Sequence, residues 1–237
     1  MSDKGKIYLI PTVLAPDTQA EVLPQHTIHK LADITHFFVE NVRTARRFIS
    51  SLKLGIDISQ LTFYLIDKHT ATDEIKKNTQ VLLQGKDVGI ISEAGCPGIA
   101  DPGAKVVSFG HQLGVNVVPL VGPSSIFLAL MASGMNGQSF AFKGYLPIAK
   151  DQRSKAIKQL EKASASQQQT QIFMETPFRN NQLMKDLVQH CRKNTLLCVA
   201  ANITAPEAFI ATKTIGQWKG GLPDLHKQPT IFVLHSY

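Results

Sequence analysis

Short apolar runs rich in β-branched and aromatic residues alternate with segments of helical periodicity, and this alternation restricts the fold more than any other feature. Between residues 42 and 54, apolar side chains recur at three- and four-residue spacing, as on a helix. Strands that alternate with helices at this interval predict β-α-β units and a mostly parallel sheet. The strand-like runs occupy residues 6–10, 35–39, 61–66, 88–91 and 115–118.

A second set of elements begins near residue 120. Its last two predicted strands follow one another without a helix, so the second sheet is predicted to be mixed. The sequence therefore predicts two α/β domains, residues 1–120 and residues 121–237. The predicted helices of this second set occupy residues 125–133, 150–164 and 178–191, and the strands occupy residues 140–142, 170–174, 195–200, 209–215 and 230–235.

The composition narrows the possible classes of protein. With 43% hydrophobic and 18% charged residues, the chain can bury enough apolar surface to fold, which excludes disorder. The three cysteines are too few and too scattered for a disulfide framework or a C-x-x-C zinc site, so we expect no metal and a reducing cytoplasm. The polar start does not fit a signal peptide, and prolines and glycines interrupt the uncharged stretch 113–142, so we expect no membrane span.

Positive charge concentrates in one part of the chain. The net charge is +7, and residues 150–193 carry nine basic and four acidic side chains. Lys155 and Lys158 lie at helical spacing, opposite the apolar face of a predicted helix. This face is either simply solvated or binds an anionic partner.

The most unusual segment is the glycine- and proline-rich stretch 92–103, which follows a predicted buried strand. In an open α/β sheet, such a loop lines the ligand crevice. It contains Glu93 but no Lys or Arg, which argues against a phosphate cradle, and no G-x-G-x-x-G occurs in the chain. We expect a ligand with hydroxyls, amines or a cation. Asp101 is predicted to be the N-cap of the next helix, with Pro102 as its first residue.

Two further turns carry polar groups. Ser124 and Ser125 open a predicted helix, where their hydroxyls either cap the helix or bind a polar ligand. Glu175 and Arg179 follow a predicted strand, and a local ion pair explains them as well as a functional role does.

Six short motifs occur in an order and spacing that resemble the tetrapyrrole methylase family of S-adenosylmethionine-dependent methyltransferases. The similarity is greatest to the ribosomal RNA small subunit methyltransferase I branch, which modifies a cytidine 2′-hydroxyl. The motif S-D-A-G-x-P-G-x-x-D-P-G corresponds to residues 92–103, with Glu93 in place of Asp. The others are V-P-T at residues 10–12, E-D-T-R at 40–43, P-G-P-S at 121–124, F-x-G-[FY]-L-P at 142–147 and [YF]-E-[ST]-P-x-R at 174–179.

The resemblance implies two α/β domains with S-adenosylmethionine in the cleft between them, usually in a homodimer. It implies Glu40 and Glu175 as candidate bases, and the small ribosomal subunit or its RNA as partner. By motif position, substrate phosphates would meet Arg43 and Arg179, and the basic stretch 150–193 adds Lys155 and Lys158 as candidates. The implied cofactor contacts are Ile10, Pro11, Glu93, Cys96, Ile99, Ser124, Ser125, Met174, Ala200, Ala201, Pro229 and Thr230.

The chain departs from the family pattern mainly at positions expected to face the substrate. Asn41 and Val42 replace Asp and Thr, Phe178 stands where His is usual, and residues 13–17 differ from P-x-G-N-L. Two other functions therefore stay open. One is methylation of a small acidic, tetrapyrrole-like substrate, and the other is non-catalytic binding of cofactor or RNA.

Overall fold

The computed structural model describes residues 4–67 and 69–237. The chain divides into two compact units, Met1–Ser124 and Ser125–Tyr237. Each unit contains a five-stranded sheet with its own helices.

The sheet of the first unit is entirely parallel, as the alternating pattern predicts. Its strand order is β3-β2-β4-β1-β5. The strands are β1 (Ile7–Ile10), β2 (His36–Val39), β3 (Thr62–Leu65), β4 (Val88–Ile91) and β5 (Val117–Pro119). The helices are α1 (Gln19–Val22), α2 (Gln25–Ala32), α3 (Val42–Ser51), α4 (Thr72–Asn78) and α5 (Gly103–Leu113), with 3-10 turns at Ile58–Gln60 and Thr79–Gln84.

Helices cover both faces of this sheet. Side chains alternate across a strand, so Phe37 of β2 packs into one cluster with α2 and α3, and its neighbour Phe38 packs into another with α4 and α5. All four residues of the central strand β4 are buried. A continuously apolar strand is typical of a parallel sheet covered on both faces.

The second sheet is mixed, as predicted. The premise of that prediction was wrong, because a short helix, Ile215–Trp218, separates the last two strands, which were predicted to follow one another without a helix. The strand order of this sheet is β6-β7-β10-β8-β9, in which only β6 and β7 pair in parallel. The strands are β6 (Phe140–Tyr145), β7 (Thr170–Met174), β8 (Leu196–Ala201), β9 (Phe209–Thr214) and β10 (Thr230–His235). The helices are α6 (Ser125–Ser133), α7 (Lys150–Gln167), α8 (Asn180–His190) and α9 (Ile215–Trp218).

The core of the second unit contains buried charges as well as apolar side chains. Phe173 of β7 stacks on Phe232 of β10, with ring centroids 5.8 Å apart. Next to this core, α7 and α8 are joined by an ion pair in which Nη2 of Arg153 lies 2.6 Å from Oδ2 of Asp186. Both side chains are buried, and Gln182 donates a further hydrogen bond to the Asp186 carboxylate.

No helix within the described residues combines the length and the apolar character needed to cross a membrane.

The substitution Asp186→Asn should lower the free energy of unfolding by about 3–5 kcal/mol, because it leaves the Arg153 guanidinium buried without a counter-charge. Urea denaturation measures this change. The matched control is Asp33→Asn, which breaks the ion pair between Lys30 and the exposed Asp33 and should cost less than about 1 kcal/mol. Equal losses in the two variants would contradict the assignment of Arg153–Asp186 as a buried structural pair.

Candidate functional site

In the first unit, three segments leave the sheet at one edge. β1 and β2 both pair with β4, and their last residues, Ile10 and Val39, are both level with Ile91. Pro11, Glu40 and the loop 92–102 therefore start side by side at the carboxyl ends of their strands. This is the edge at which open α/β sheets bind ligands.

Hydrogen bonds fasten the loop after β1 to the glycine-rich loop after β4. The backbone N–H of Thr12 donates to the carbonyl of Gly95 at 2.9 Å, and the Thr12 hydroxyl donates to the carbonyl of Ser92. The Ser92 hydroxyl in turn donates to the Gly95 carbonyl. Gly122, which follows β5, approaches the loop after β1 so closely that a Cβ on it would lie 2.2 Å from Cβ of Pro11.

Asp101 closes the glycine-rich loop. Its carboxylate accepts hydrogen bonds from the backbone N–H groups of Gly98, at 2.9 Å, and Gly103, at 2.7 Å. Gly98 has φ +84°, a left-handed conformation that glycine adopts readily. The predicted N-cap was wrong by one residue, because α5 begins at Gly103 and Pro102 occupies the cap position. Asp101 nevertheless accepts from a first-turn amide, and burial raises the pKa of its carboxyl group.

A pocket of about 370 Å³ lies against this loop. It is lined by Pro11, Cys96 and Ile99, three of the residues predicted to touch a cofactor, among others. Burial raises the pKa of the Cys96 thiol, whose Sγ lies 3.4 Å from the carbonyl oxygen of Pro123, so the group stays protonated at neutral pH. The remaining lining residues are Leu9, Pro97, Gly98, Ala104, Val107, Pro119 and Leu120.

Three other residues predicted to touch the cofactor, Ile10, Ser124 and Ser125, are not among the residues that line this pocket. The Ile10 side chain is fully buried in the core, so only its backbone is available to a ligand. Ser124 and Ser125 are half-buried, and α6 begins at Ser125 as predicted.

Three carboxyl groups gather beside this loop. Glu40, at the end of β2, is half-buried, and this burial, together with the negative charges of Asp101 and Glu93, raises the pKa of its carboxyl group. Glu93 is exposed and accepts a hydrogen bond from the Thr44 hydroxyl of α3. A half-buried carboxyl group with a raised pKa is suited to accepting a proton near neutral pH.

Asn41 keeps the structural role that an aspartate would have at its position. It is the N-cap of α3, and its side-chain oxygen accepts from the backbone N–H groups of Arg43, at 2.9 Å, and Thr44, at 3.3 Å. The departure from E-D-T-R at this position therefore preserves the local fold. Val42 packs against the core of the first unit, and Arg43 is exposed.

In the second unit, five predicted cofactor contacts lie at one end of the sheet. Thr230 of β10 pairs with Ala201 of β8, and the next residue of β10, Ile231, is level with both Ala200 and Met174. Both alanine side chains are fully buried, so they can present only backbone groups to a ligand. The carbonyl of Pro229 accepts from the backbone N–H of Asn202.

Glu175 and Arg179 form the local ion pair that the sequence allows. The distance between Nη2 of Arg179 and Oε1 of Glu175 is 2.6 Å, and the same oxygen accepts from the backbone N–H of Thr176. The Glu175 side chain is buried, and its hydrogen bond raises the pKa of Arg179. This arrangement commits the carboxylate to local partners, whereas Glu40 retains a raised pKa and no ion pair within the described residues.

The two predicted basic residues of α7 are exposed. Lys155 and Lys158 lie on the face of the helix opposite the buried Ile157 and Leu160. The structure thus gives the positions of the predicted site residues, and their catalytic and binding roles stay predictions.

Sequence reasoning missed several residues at these sites. Thr44, which binds Glu93, has no sequence signal of its own because the two are 49 positions apart. Asn202 follows β8 with φ +51°, a conformation that Asn tolerates, and its amide donates to the side-chain oxygen of Gln228. Asn after a strand was a usable turn signal. Thr204 also has a positive φ, of +74°, and its buried hydroxyl has no hydrogen-bond partner within the described residues.

Comparison with known proteins gives one consistent family. The family model described as Tetrapyrrole (Corrin/Porphyrin) Methylases matches residues 25–218. The chain is similar to a protein of Vibrio cholerae named Ribosomal RNA small subunit methyltransferase I, with 32% identity over 98% of this chain and 77% of that protein. The protein of the same name from Bacillus subtilis is 30% identical over 79% of this chain and 60% of its own length. The chain thus spans less than two thirds of the Bacillus relative.

Solved structures share the fold. The methyltransferase CobJ has a TM-score of 0.64 with 17% identity, over 99% of this chain and 95% of that one. Uroporphyrin-III-C-methyltransferase from Thermus thermophilus has a TM-score of 0.54 with 16% identity, over 98% and 92% of the two chains. The predicted fold, with a parallel first sheet and a mixed second sheet, is confirmed.

The substitution Asp101→Ala should speed amide hydrogen exchange at Gly98 and Gly103 by about 10- to 100-fold, because each amide loses a charged acceptor. Nuclear magnetic resonance measures exchange at each amide. The matched control is Asp57→Ala, which removes a similar hydrogen bond from Ser59 elsewhere in the first unit. Unchanged exchange at Gly98 and Gly103 would show that Asp101 does not hold the loop.

Proposed function

This chain belongs to the tetrapyrrole methylase family, and we propose that it is an S-adenosylmethionine-dependent methyltransferase that modifies a 2′-hydroxyl of small-subunit ribosomal RNA. The observation that carries the proposal is the 32% identity to a relative named for this RNA, over 98% of the chain. The retained glycine-rich loop and its neighbouring carboxylates support it.

The residues of the first unit fit S-adenosylmethionine. The pocket offers backbone groups and apolar surface, and its volume of about 370 Å³ lies within the range of small-molecule sites. The loop 92–103 carries no basic side chain to repel a sulfonium cation, and exposed Glu93 attracts one. In this unit, Ile10, Pro11, Glu93, Cys96, Ile99 and Ser124 would hold the cofactor.

S-adenosylmethionine supplies an activated methyl group when bound, so the protein mainly positions the substrate and excludes water. A 2′-hydroxyl is a weak nucleophile while it keeps its proton. The carboxylate of Glu40 accepts that proton, because its raised pKa brings it nearer to the working pH than an ordinary glutamate. Glu175 is the second candidate base, but its ion pair with Arg179 suits it better to positioning.

Basic side chains would bind the RNA backbone. Arg43 lies three residues after Glu40, the candidate base, and is exposed, as are Lys155 and Lys158 of α7. The Arg179 side chain, although bound to Glu175, is 36% exposed.

We also propose that the protein is a homodimer that acts in the cytoplasm. The exposed apolar side chains of α6 support a second copy as partner, since Phe127 is 49% and Met131 is 77% exposed. The three cysteines are free thiols, which suits a reducing compartment.

Tritiated-methyl S-adenosylmethionine, added with the purified protein to an extract of cells that lack it, should label small-subunit ribosomal RNA. Alkaline hydrolysis then tests the labelled nucleotide for 2′-O-methylation, which protects the adjacent bond. Glu93→Lys should abolish both labelling and cofactor binding, because the new cation repels the sulfonium. The matched control Glu207→Lys changes an exposed glutamate of the second unit and should leave both intact.

The other outcomes separate the alternatives. Label in a small acidic molecule would replace RNA with a tetrapyrrole-like substrate. Cofactor binding without label in any fraction would favour a non-catalytic relative and contradict the proposal.

The pH profile of kcat/KM should show an acidic limb above the ordinary glutamate pKa of about 4.3, because Glu40 must be deprotonated to act as base. Glu40→Gln should remove this limb and lower kcat by about 10²- to 10⁴-fold. Glu93→Gln removes a negative charge that raises the pKa of Glu40, so the limb should move to lower pH. An unchanged limb in Glu40→Gln would exclude Glu40 as the base.

A further inference from the structure

The three arginines of the first unit all lie on one helix. Residues 1–124 contain arginine only at positions 43, 46 and 47, all within α3. The same residues contain twelve basic and twelve acidic side chains, so the unit as a whole is neutral. α3 itself has no acidic residue, and it therefore concentrates positive charge on an otherwise balanced unit.

The geometry of α3 places these arginines on one exposed face. Positions i, i+3 and i+4 are neighbours on a helix surface, and all three side chains are exposed, while Ala45 and Ile49 bury the opposite face. The Arg46 guanidinium lies over the ring of Phe63, 5.3 Å from its centroid, which orients it.

The pairing of arginines differs between the two units. In the second unit, Arg153, Arg179 and Arg192 each form an ion pair with a buried carboxylate. Within the described residues, no arginine of α3 has such a partner. Like charges at this spacing repel, and apart from the contact of Arg46 with the Phe63 ring no ion pair within the described residues offsets this repulsion. The face is therefore suited to an external anion.

α3 also adjoins the proposed chemistry. Glu40 directly precedes its N-cap, Asn41, and Thr44 on its first turn donates to Glu93. An anionic strand bound along α3 would therefore lie beside the carboxyl groups of Glu40 and Glu93.

We infer that α3 is an RNA-binding helix whose Arg43, Arg46 and Arg47 contact successive phosphates of the substrate strand. The inference rests on the proposed function and extends it from Arg43 to a whole face. Guanidinium groups bind phosphates in a bidentate manner, which fits this chemistry. A membrane surface fits less well, because no large apolar side chain of α3 is exposed for insertion.

Fluorescence anisotropy with a labelled 20-nucleotide single-stranded RNA, and filter binding with purified small-subunit ribosomal RNA, test this over a range of salt concentrations. The triple variant R43Q/R46Q/R47Q should weaken binding by about 10- to 100-fold near 0.1 M salt and reduce the salt slope by about 2. The matched control K76Q/K77Q/K105Q removes three exposed charges elsewhere in the first unit and should change little. R43K/R46K/R47K keeps the charges but not the bidentate geometry, so it should restore the salt slope and only part of the affinity.

Binding of S-adenosylmethionine, measured by calorimetry on each variant, separates this inference from the proposed function. Lost RNA affinity in the glutamine variant with unchanged cofactor binding supports the inference. Unchanged RNA affinity in that variant overturns the inference but leaves the proposed function intact. If the wild type binds cofactor but neither RNA, both are overturned. If R43Q/R46Q/R47Q lost binding to phosphatidylserine vesicles while its RNA affinity stayed unchanged, the inference would also be overturned.

Discussion

Parallel hydrogen bonding of β4 to both β1 and β2 is the constraint on which the candidate site of the first unit depends. Because Ile10 and Val39 are both level with Ile91, the chain leaves all three strands at one height. Segments far apart in sequence then emerge as neighbours. The hydrogen bond from Thr12 to Gly95, and the hydrogen bonds that the Asp101 carboxylate accepts from Gly98 and Gly103, hold the glycine-rich loop at this edge. The sheet thus provides the rigid base, and the loops provide the polar groups.

The two units use arginine in opposite ways. In the second unit, Arg153 and Arg192 join α7 to α8 and to the segment before β8 through Asp186 and Glu161. These buried carboxylates need their cations, so the pairs belong to the packing of that unit. On α3 the arginines lack such partners within the described residues and face solvent. The same residue type therefore serves stability in one unit and remains available for binding in the other.

Most strands could be predicted from the sequence, because apolar runs bounded by turn residues are local signals. The errors have local physical causes. β5 starts at Val117 rather than residue 115 because the backbone N–H of Val115 donates to Gly110 and completes the left-handed end of α5 at Gly114. α8 starts at Asn180 rather than residue 178 because Glu175 binds Thr176 and Arg179 and holds the intervening turn.

By itself, the sequence determined the parallel and mixed sheets, the glycine-rich loop and the family, because these depend on periodicity and on motifs of adjacent residues. It also marked Glu40, Glu93 and Arg43 as candidate site residues, from their positions in these motifs. Only the tertiary structure decided which of these groups meet. The raised pKa of Glu40 and the hydrogen bond from Thr44 to Glu93 arise between strands and helices distant along the chain. Whether an arginine is paired or free likewise depends on what packs against it, which no local pattern encodes.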